Sequence, residues 1–347
     1  MVANRYDAIL VVSFGGPEGP DDVMPFLENV LRGRNVPRER MLEVAEHYQH
    51  FSGVSPINGQ NRELIRALRL ELDAHDIDLP IYWGNRNWHP LLPDTIARMK
   101  ADGIRRAIAY FTSAFSSYSG CRQYRENVVA AQEQTGEGAP EVDKLRVFFN
   151  HPTFIEVNAA NVRSAILQLP ASEREGAHLL FTAHSIPKSM ADNCRYEMQL
   201  RAACQLVAEA AGHPQHKLLY QSRSGPPTQP WLEPDICDTL EAIAEEKSSR
   251  CVVVSPIGFV SDHMEVLFDL DIEASDLCRE KGLHMVRAAT VGNDPRFIAM
   301  IRELIEERMT DSPQRRALGD LGPSHDVCAV DCCTYAPQRP SSAGRPG

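Results

Sequence analysis

Chemistry near neutral pH calls for side chains that exchange protons or hold metals, and three stretches of the chain concentrate them. Thr182-Ala183-His184-Ser185-Ile186-Pro187 sets a histidine at the carboxyl end of an apolar run, ahead of a proline that stops the strand. A neutral imidazole there can act as a base or a metal ligand; it can equally be a hydrogen-bonded structural residue. Downstream, the segment from Pro256 through Asp269 to Glu273 carries Asp262, Glu265, Asp269 and Glu273 at steps of three or four, which one face of a helix would gather. Ser261 or Asp262 can cap that helix, while Val266, Leu267 and Leu270 hold it against the body. Stacked carboxylates raise one another's pKa unless a cation or a proton sits among them. The ladder therefore suits movement of divalent metal or protons, an acidic solvent face being the plain alternative. The third stretch is Ser13-Phe14-Gly15-Gly16-Pro17, whose two glycines let the backbone turn sharply or approach a ligand closely. It has neither the spacing of a dinucleotide fingerprint nor the Lys-Ser/Thr of a P-loop, so a binding loop and a simple turn stand side by side.

Nine cysteines, an odd number, do not make a simple disulfide framework. Six are scattered from Cys121 to Cys278, and Cys328, Cys332 and Cys333 crowd into the last twenty residues. In a reducing cytosol such crowding points to metal more than to crosslinks.

The elements that must position these groups alternate strand and helix. Apolar runs at Ala8–Ser13, Ile81–Trp83, Ala107–Thr112, Leu145–Phe149, Leu179–Ala183 and Cys251–Pro256 read as parallel strands buried on both faces. Amphipathic stretches at Asn61–His75, Ala202–Gly212 and Asp294–Met309 read as helices, with Pro295 suited to a first turn. The pattern predicts an α/β fold of two similar doubly wound, Rossmann-like parallel-sheet halves. We place the break near 150–175, after Asn150-His151-Pro152, giving an N-terminal domain over 1–160 and a C-terminal domain over 161–310 that carries His184 and Glu265. The tail, 311–347, is rich in Pro, Gly, Ser and Arg without helical or strand period; such a composition is normally disordered, unless a metal pins it to the body. With 347 residues and a net charge of −11, the chain has enough core to fold without staples and the wrong sign for a nucleic-acid binder. Its apolar runs are of strand length, too short for a transmembrane helix. The first run reads as a strand rather than a signal peptide, so a cytoplasmic location is expected.

Taken together, the motifs Ser13-Phe-Gly-Gly-Pro, Gly53-Val-Ser-Pro, Ala183-His-Ser-Ile-Pro, Gln221-Ser-Arg-Ser-Gly, Pro230-Trp-Leu-Glu-Pro-Asp and Gly258-Phe-Val-Ser-Asp-His-Met-Glu-Val-Leu-Phe-Asp resemble, in order, those of the ferrochelatases, over Asp7 to Met309. The resemblance implies a cleft between the two domains in which Fe²⁺, as substrate, enters a bent porphyrin that must lose two pyrrole protons. It implies His184 as the active-site histidine, accepting protons or ligating iron, with Glu265 opposite and Asp269 behind it as relays of protons or metal. Phe14, Arg32, Ser55 and Tyr124 match porphyrin-binding positions, the last three near the propionates; Phe14 stands where some firmicute members have a tyrosine axial ligand. Trp88 and Trp231 are expected to pack rather than stack on the ring.

A subgroup of the family carries a [2Fe-2S] cluster, which implies Cys328, Cys332 and Cys333 as three ligands. The animal internal ligand matches Val157 here. Some bacterial members instead imply Cys194, with Cys204 its nearest rival and a zinc site using His325 the alternative. The ring is coproporphyrin III or protoporphyrin IX, the style of the motifs tilting toward the former. An iron donor or a neighbouring haem-pathway enzyme is the expected protein partner. A non-catalytic porphyrin carrier and a cobalt chelatase are the competing readings.

Overall fold

A six-residue run, Ala-Ile-Leu-Val-Val-Ser, has no polar face to offer solvent, and only the middle of a parallel sheet buries it on both sides. Strand β1 (Ala8–Ser13) is buried along its whole length in the computed structural model, which describes residues 6–33, 36–225, 228–246 and 249–335. It lies between β2 (Ile81–Asn85) and β3 (Arg106–Phe111), and β4 (Glu141–Lys144) completes a parallel sheet of order β2-β1-β3-β4. The second half repeats the plan with β5 (His178–His184), β6 (His216–Gln221), β7 (Cys251–Ser255) and β8 (His284–Arg287) in the order β6-β5-β7-β8. The loop after β1 and the loop after β5 are thus equivalent places in two copies of one topology, each beside the point where strand order reverses, where such sheets bind ligands.

Leu145–Phe149, expected as a strand, is not one. The strand is the shorter, polar β4 just before it, and Leu145 contributes a final bond to Ala109 O at 2.8 Å. The apolar run beyond is irregular and buried because Phe148 and Phe149 pack against Phe115, Phe154 and Phe297. Strands β6 and β8 were not expected, and both lie at sheet edges, where polar residues replace a continuous apolar run.

The helices form near their expected positions. Ile57–Asp73 turns Leu64, Leu68 and Leu72 inward, Tyr196–Ala211 ends on left-handed Gly212, and Pro295–Met309 starts where the Asp294 carboxylate accepts from Arg296 N–H. The helix Pro152–Gln168 runs across residue 160 and packs on Tyr196–Ala211, β7 and β8. The last helix, Pro295–Met309, crosses back to lie on Ile57–Asp73 of the first half, where Arg302 Nε meets Glu71 Oε1 at 2.8 Å. Leu68 and Leu72 share one core with Ile301 and Leu304, so a single apolar interior spans both halves.

The tail departs from its expected disorder as far as residue 335; the rest of it, 336–347, lies outside the described residues. Its described part has no regular secondary structure, but body side chains are aimed at its backbone. Asn150 Nδ2 donates to Leu318 O and Gly322 O, each at 2.9 Å, and Leu318 N–H returns a bond to Asn150 O. Buried Arg146 grips Glu307 with two nitrogens, at 2.7 and 3.0 Å, and donates to Arg316 O at 2.9 Å. Among the described residues no helix is long and apolar enough to cross a membrane.

Candidate active site

His184 is the last residue of β5, paired in register with Gln221 of β6. Three bonds clamp this strand end: Ser185 N–H to Gln221 O at 2.8 Å, Ser185 Oγ to Leu232 O at 2.8 Å, and Tyr196 OH to His184 O at 3.1 Å. On its other side Gly258 N–H reaches Thr182 O, and a Cβ on Gly258 would lie 2.6 Å from Ala183 Cα. Only glycine lets the loop after β7 press this closely against the strand. The imidazole Nδ1 bonds Ser185 O, leaving Nε2 directed at Glu265 Oε2, 3.5 Å away.

The acidic helix starts later than expected, is differently capped, and continues without a break through Ser275–Lys281. It starts at Met264 behind His263, without a side-chain cap, and widens into a π-helix over Leu267–Ala274. Asp262 neither caps it nor joins its acidic face. Its carboxylate is taken by Arg287 at 3.1 Å and Thr290 at 3.3 Å, and its N–H by Gln60. Glu265, Asp269 and Glu273 remain on the helix, while Val266 and Leu270 are buried against the body as expected.

Burial opposes charge on His184, but the Glu265 carboxylate and its hydrogen bond prevail and hold the imidazole up to about 9. Glu265 mirrors it: burial works against its charge, and His184 outweighs burial to bring it down to about 2. At neutral pH the pair is therefore an ion pair. Asp269 behaves oppositely. Burial, with the charges of Glu265 and Glu273, lifts it to about 7 against the lowering hydrogen bonds from Ser222 and Gln221. Glu273 and Asp235 are each raised by burial, and Glu273 feels Asp235's charge. The carboxylates thus continue from His184 through Glu265, Asp269 and Glu273 to Asp235, the last of which sequence reasoning missed because it lies on a different loop.

Of the expected porphyrin contacts, Phe14, Ser55 and Tyr124 lie around the loop after β1, while Arg32 lies past the next helix. Phe14 is 37% exposed and meets Phe26, of the helix Pro20–Val30, edge-on at 6.3 Å; exposed Arg32 follows that helix. Ser55 is buried under Gly16, whose absent Cβ would fall 2.7 Å from Ser55 Cβ. Tyr124 is also buried, and the Arg86 guanidinium covers it at 4.5 Å while lying 5.6 Å from the Phe14 ring. Arg86 is a second missed residue. It joins the Phe14 loop to Tyr124, and nothing in its surrounding sequence marks it. Trp88 packs on Phe26 and donates toward Asp22, and Trp231 is buried against Gly225, as expected of packing residues.

A second group of potential ligands lies under the tail. Cys332 and Cys333 sulfurs are 3.5 Å apart, and the ligand atoms of His325, Cys328 and Cys332 fall within 4.8 Å of one another. Cys121, one of the scattered six, lies close enough to Cys328 to interact with it, and this neighbour, with Lys144, pulls the Cys328 thiol well below its ordinary value. Cys194 lies within electrostatic reach of Cys332 and Cys333. Cys204 is buried within its helix, with Arg201 as its charged neighbour, and Val157 is buried in the core. Thiols converging in pairs beside Lys144, Arg122 and Arg125 fit a four-thiolate iron–sulfur group, whose negative charge those cations would offset.

The family model described as Ferrochelatase matches residues 6–309. The chain is 62% identical to a ferrochelatase of Rhodopirellula baltica, with 98% of this chain and 96% of the relative covered. It is 52% identical to the coproporphyrin III ferrochelatase of Streptomyces coelicolor, covering 99% and 97%. Among solved structures, SirB from Bacillus subtilis with Fe³⁺ shares the fold at a TM-score of 0.52 and 12% identity, over 86% of this chain and 94% of SirB. The chain belongs to the ferrochelatase family.

Proposed function

We propose that this chain inserts Fe²⁺ into coproporphyrin III, with His184 and Glu265 at the reacting centre and Asp269 as the relay behind them. The observation that carries the reading is the His184–Glu265 contact at 3.5 Å, in a site where a third of the histidine side chain and half of the glutamate remain exposed. A carrier has no need of such a pair.

The chemistry follows from the charges. The resting imidazolium cannot take a pyrrole proton until its own proton leaves. Glu265 is its direct partner, and Asp269, poised near neutrality, can pass a proton onward at little cost. Arrival of Fe²⁺ beside Nε2 repels the imidazolium proton and favours its loss, which frees the nitrogen to accept protons from the ring or to hold the metal. Remote contacts would bend the ring, so that pyrrole lone pairs leave its plane. Phe14 offers an apolar face without an iron ligand, and Arg32, Ser55 and Tyr124, joined by Arg86, supply cations and hydroxyls for propionates. That the Streptomyces coelicolor relative is a coproporphyrin III ferrochelatase supports four propionates rather than two.

We also propose a cytoplasmic location and a [2Fe-2S] cluster at the cysteine loop. Cys328, Cys332 and Cys333 would be three of its ligands, and an internal thiol the fourth; Cys194, the sequence's candidate, is within reach. Bound there, the cluster would supply one-electron chemistry and a further tie between tail and body.

Anaerobic iron insertion, followed by loss of porphyrin fluorescence with coproporphyrin III and protoporphyrin IX side by side, tests the activity. Faster turnover of coproporphyrin III is expected. Preference for protoporphyrin IX overturns the ring assignment, turnover with Co²⁺ alone makes the chain a cobalt chelatase, and binding without turnover makes it a carrier.

A further inference from the structure

Five carboxylates lie between residues 262 and 273, and one guanidinium holds two of them outside the ladder. Arg287, the last residue of β8, donates from Nη1 to Asp262 Oδ1 at 3.1 Å. From Nε and Nη2 it donates to the two oxygens of Asp271, at 2.5 and 2.9 Å. Its side chain is only 17% exposed, so water and salt screen these contacts little. Asp262 has two further anchors. Thr290 donates to its carboxylate, and its own N–H reaches Gln60 Oε1 at 2.9 Å, on the helix Ile57–Asp73 of the first half. Glu265 and Asp269 both lie on the stretch between the two clamped residues. That stretch has little hold of its own: its helix starts at Met264 without a side-chain cap and passes at Leu267 into a π-helix, a rare form that gathers at functional sites. Glu265 meets His184, and Asp269 meets Gln221 and Ser222, through side-chain contacts that a rotation of the helix would disturb.

We propose that Arg287 is a positioning residue for metal insertion. By gripping the residue before the helix's first turn and a second residue inside its π-helical part, it fixes the rotation of the helix and with it the places of Glu265 and Asp269. This rests on the insertion reading above and adds a residue that acts through others. A planar fork of donors serves two carboxylates at once in fixed geometry, which the single ammonium of a lysine does not. The same grip leaves Asp262 and Asp271 already paired with a cation, so the track open to protons or metal narrows to Glu265, Asp269 and Glu273.

The test uses the full chain as wild type, Arg287→Met, Arg287→Lys and Asp271→Asn. Far-UV circular dichroism checks folding, fluorescence titration reads coproporphyrin III binding, and anaerobic Fe²⁺ insertion gives kcat and KM. Hydrogen exchange by mass spectrometry reads the amides of residues 264–274 against those of β1. Arg287→Met is expected to lose about tenfold to 100-fold in kcat, the cost of misplaced reacting groups. Its porphyrin KM should stay within about twofold, because Phe14, Ser55 and Tyr124 lie on the other wall. Exchange over 264–274 should quicken by about tenfold or more while β1 is unchanged. Arg287→Lys should fall between wild type and Arg287→Met, and Asp271→Asn, which keeps an acceptor, should lose least. A folded Arg287→Met with wild-type kcat overturns the proposal, as does a loss confined to porphyrin KM or a full rate in Arg287→Lys. Should Arg287→Met fail to fold, the other two decide: lower kcat with faster local exchange supports the grip, and wild-type values in both refute it. A wild type that binds porphyrin without turnover overturns the insertion reading instead, and the exchange of 264–274 in the variants then decides whether Arg287 holds the helix.

Discussion

Replacing Glu265 with Gln removes the charge that keeps His184 protonated while preserving size and hydrogen bonding. Raising an imidazole from 6.5 to about 9 corresponds at face value to roughly 3 kcal/mol of differential stabilisation. Half of the Glu265 side chain faces water, and screening reduces the pair's contribution to about 1–2 kcal/mol. The sign follows from the two directions. His184 is raised, so its contribution is complete below the ordinary imidazole value and is lost as pH climbs through about 9; Glu265 is lowered, so its contribution is lost only as pH falls through about 2. Urea unfolding at pH 5.5 and pH 9.5 should therefore show the parent losing about 1–2 kcal/mol more than the Gln variant. Both chains are made in an Asp269→Asn background, so that this carboxyl does not titrate in the same range. In the variant, burial acts unopposed by Glu265 and His184 should titrate below 6.5, followed by its ring protons in NMR. Iron insertion should fall by about 10²–10⁴ if the pair moves protons. Equal losses between the two pH values, with His184 still titrating near 9, would sink the reasoning.

Asp269→Asn in the wild-type background should remove an inflection near pH 7 from the pH profile of kcat and slow insertion, because the group held near neutrality is gone; a profile unchanged in shape would take Asp269 out of the relay. The same raised carboxyl makes the wild type lose stability as pH rises from its ordinary value of 3.8 to about 7, a trend the Asn variant should lack in urea titrations. Gly258→Ala places a Cβ 2.6 Å from Ala183 Cα, rigid backbone with nowhere to move, so a destabilisation of about 1–3 kcal/mol is expected in urea, with reduced turnover as the His184 strand shifts.

What could be read from the sequence, and what could not, divides along physical lines. Strands β1, β5 and β7 announce themselves because a strand buried on both faces must be apolar throughout. Edge strands β6 and β8 begin at His216 and His284 and carry no such run. His184 was legible because a histidine ending a buried strand is out of place unless something there uses it. Asp262 misled because periodicity cannot reveal Arg287, which draws its carboxylate away from the helix. Cys121 was invisible, since about two hundred residues separate it from the cysteines it meets and a lone buried thiol has no signature. The tail's order likewise depends on Arg146 and Asn150, body residues whose task shows only when their backbone partners are in place.

The helix Pro295–Met309 has a mechanical meaning. A cleft that bends a stiff macrocycle is pushed apart by the ring with equal force, and walls joined only by a flexible linker would yield to that load instead of transmitting it. Here the final helix of one wall is bolted across the other, through leucines that share its core and through Arg302 on Glu71. The strap stiffens the two halves against separation, which is what the proposed bending of a ring between them would require.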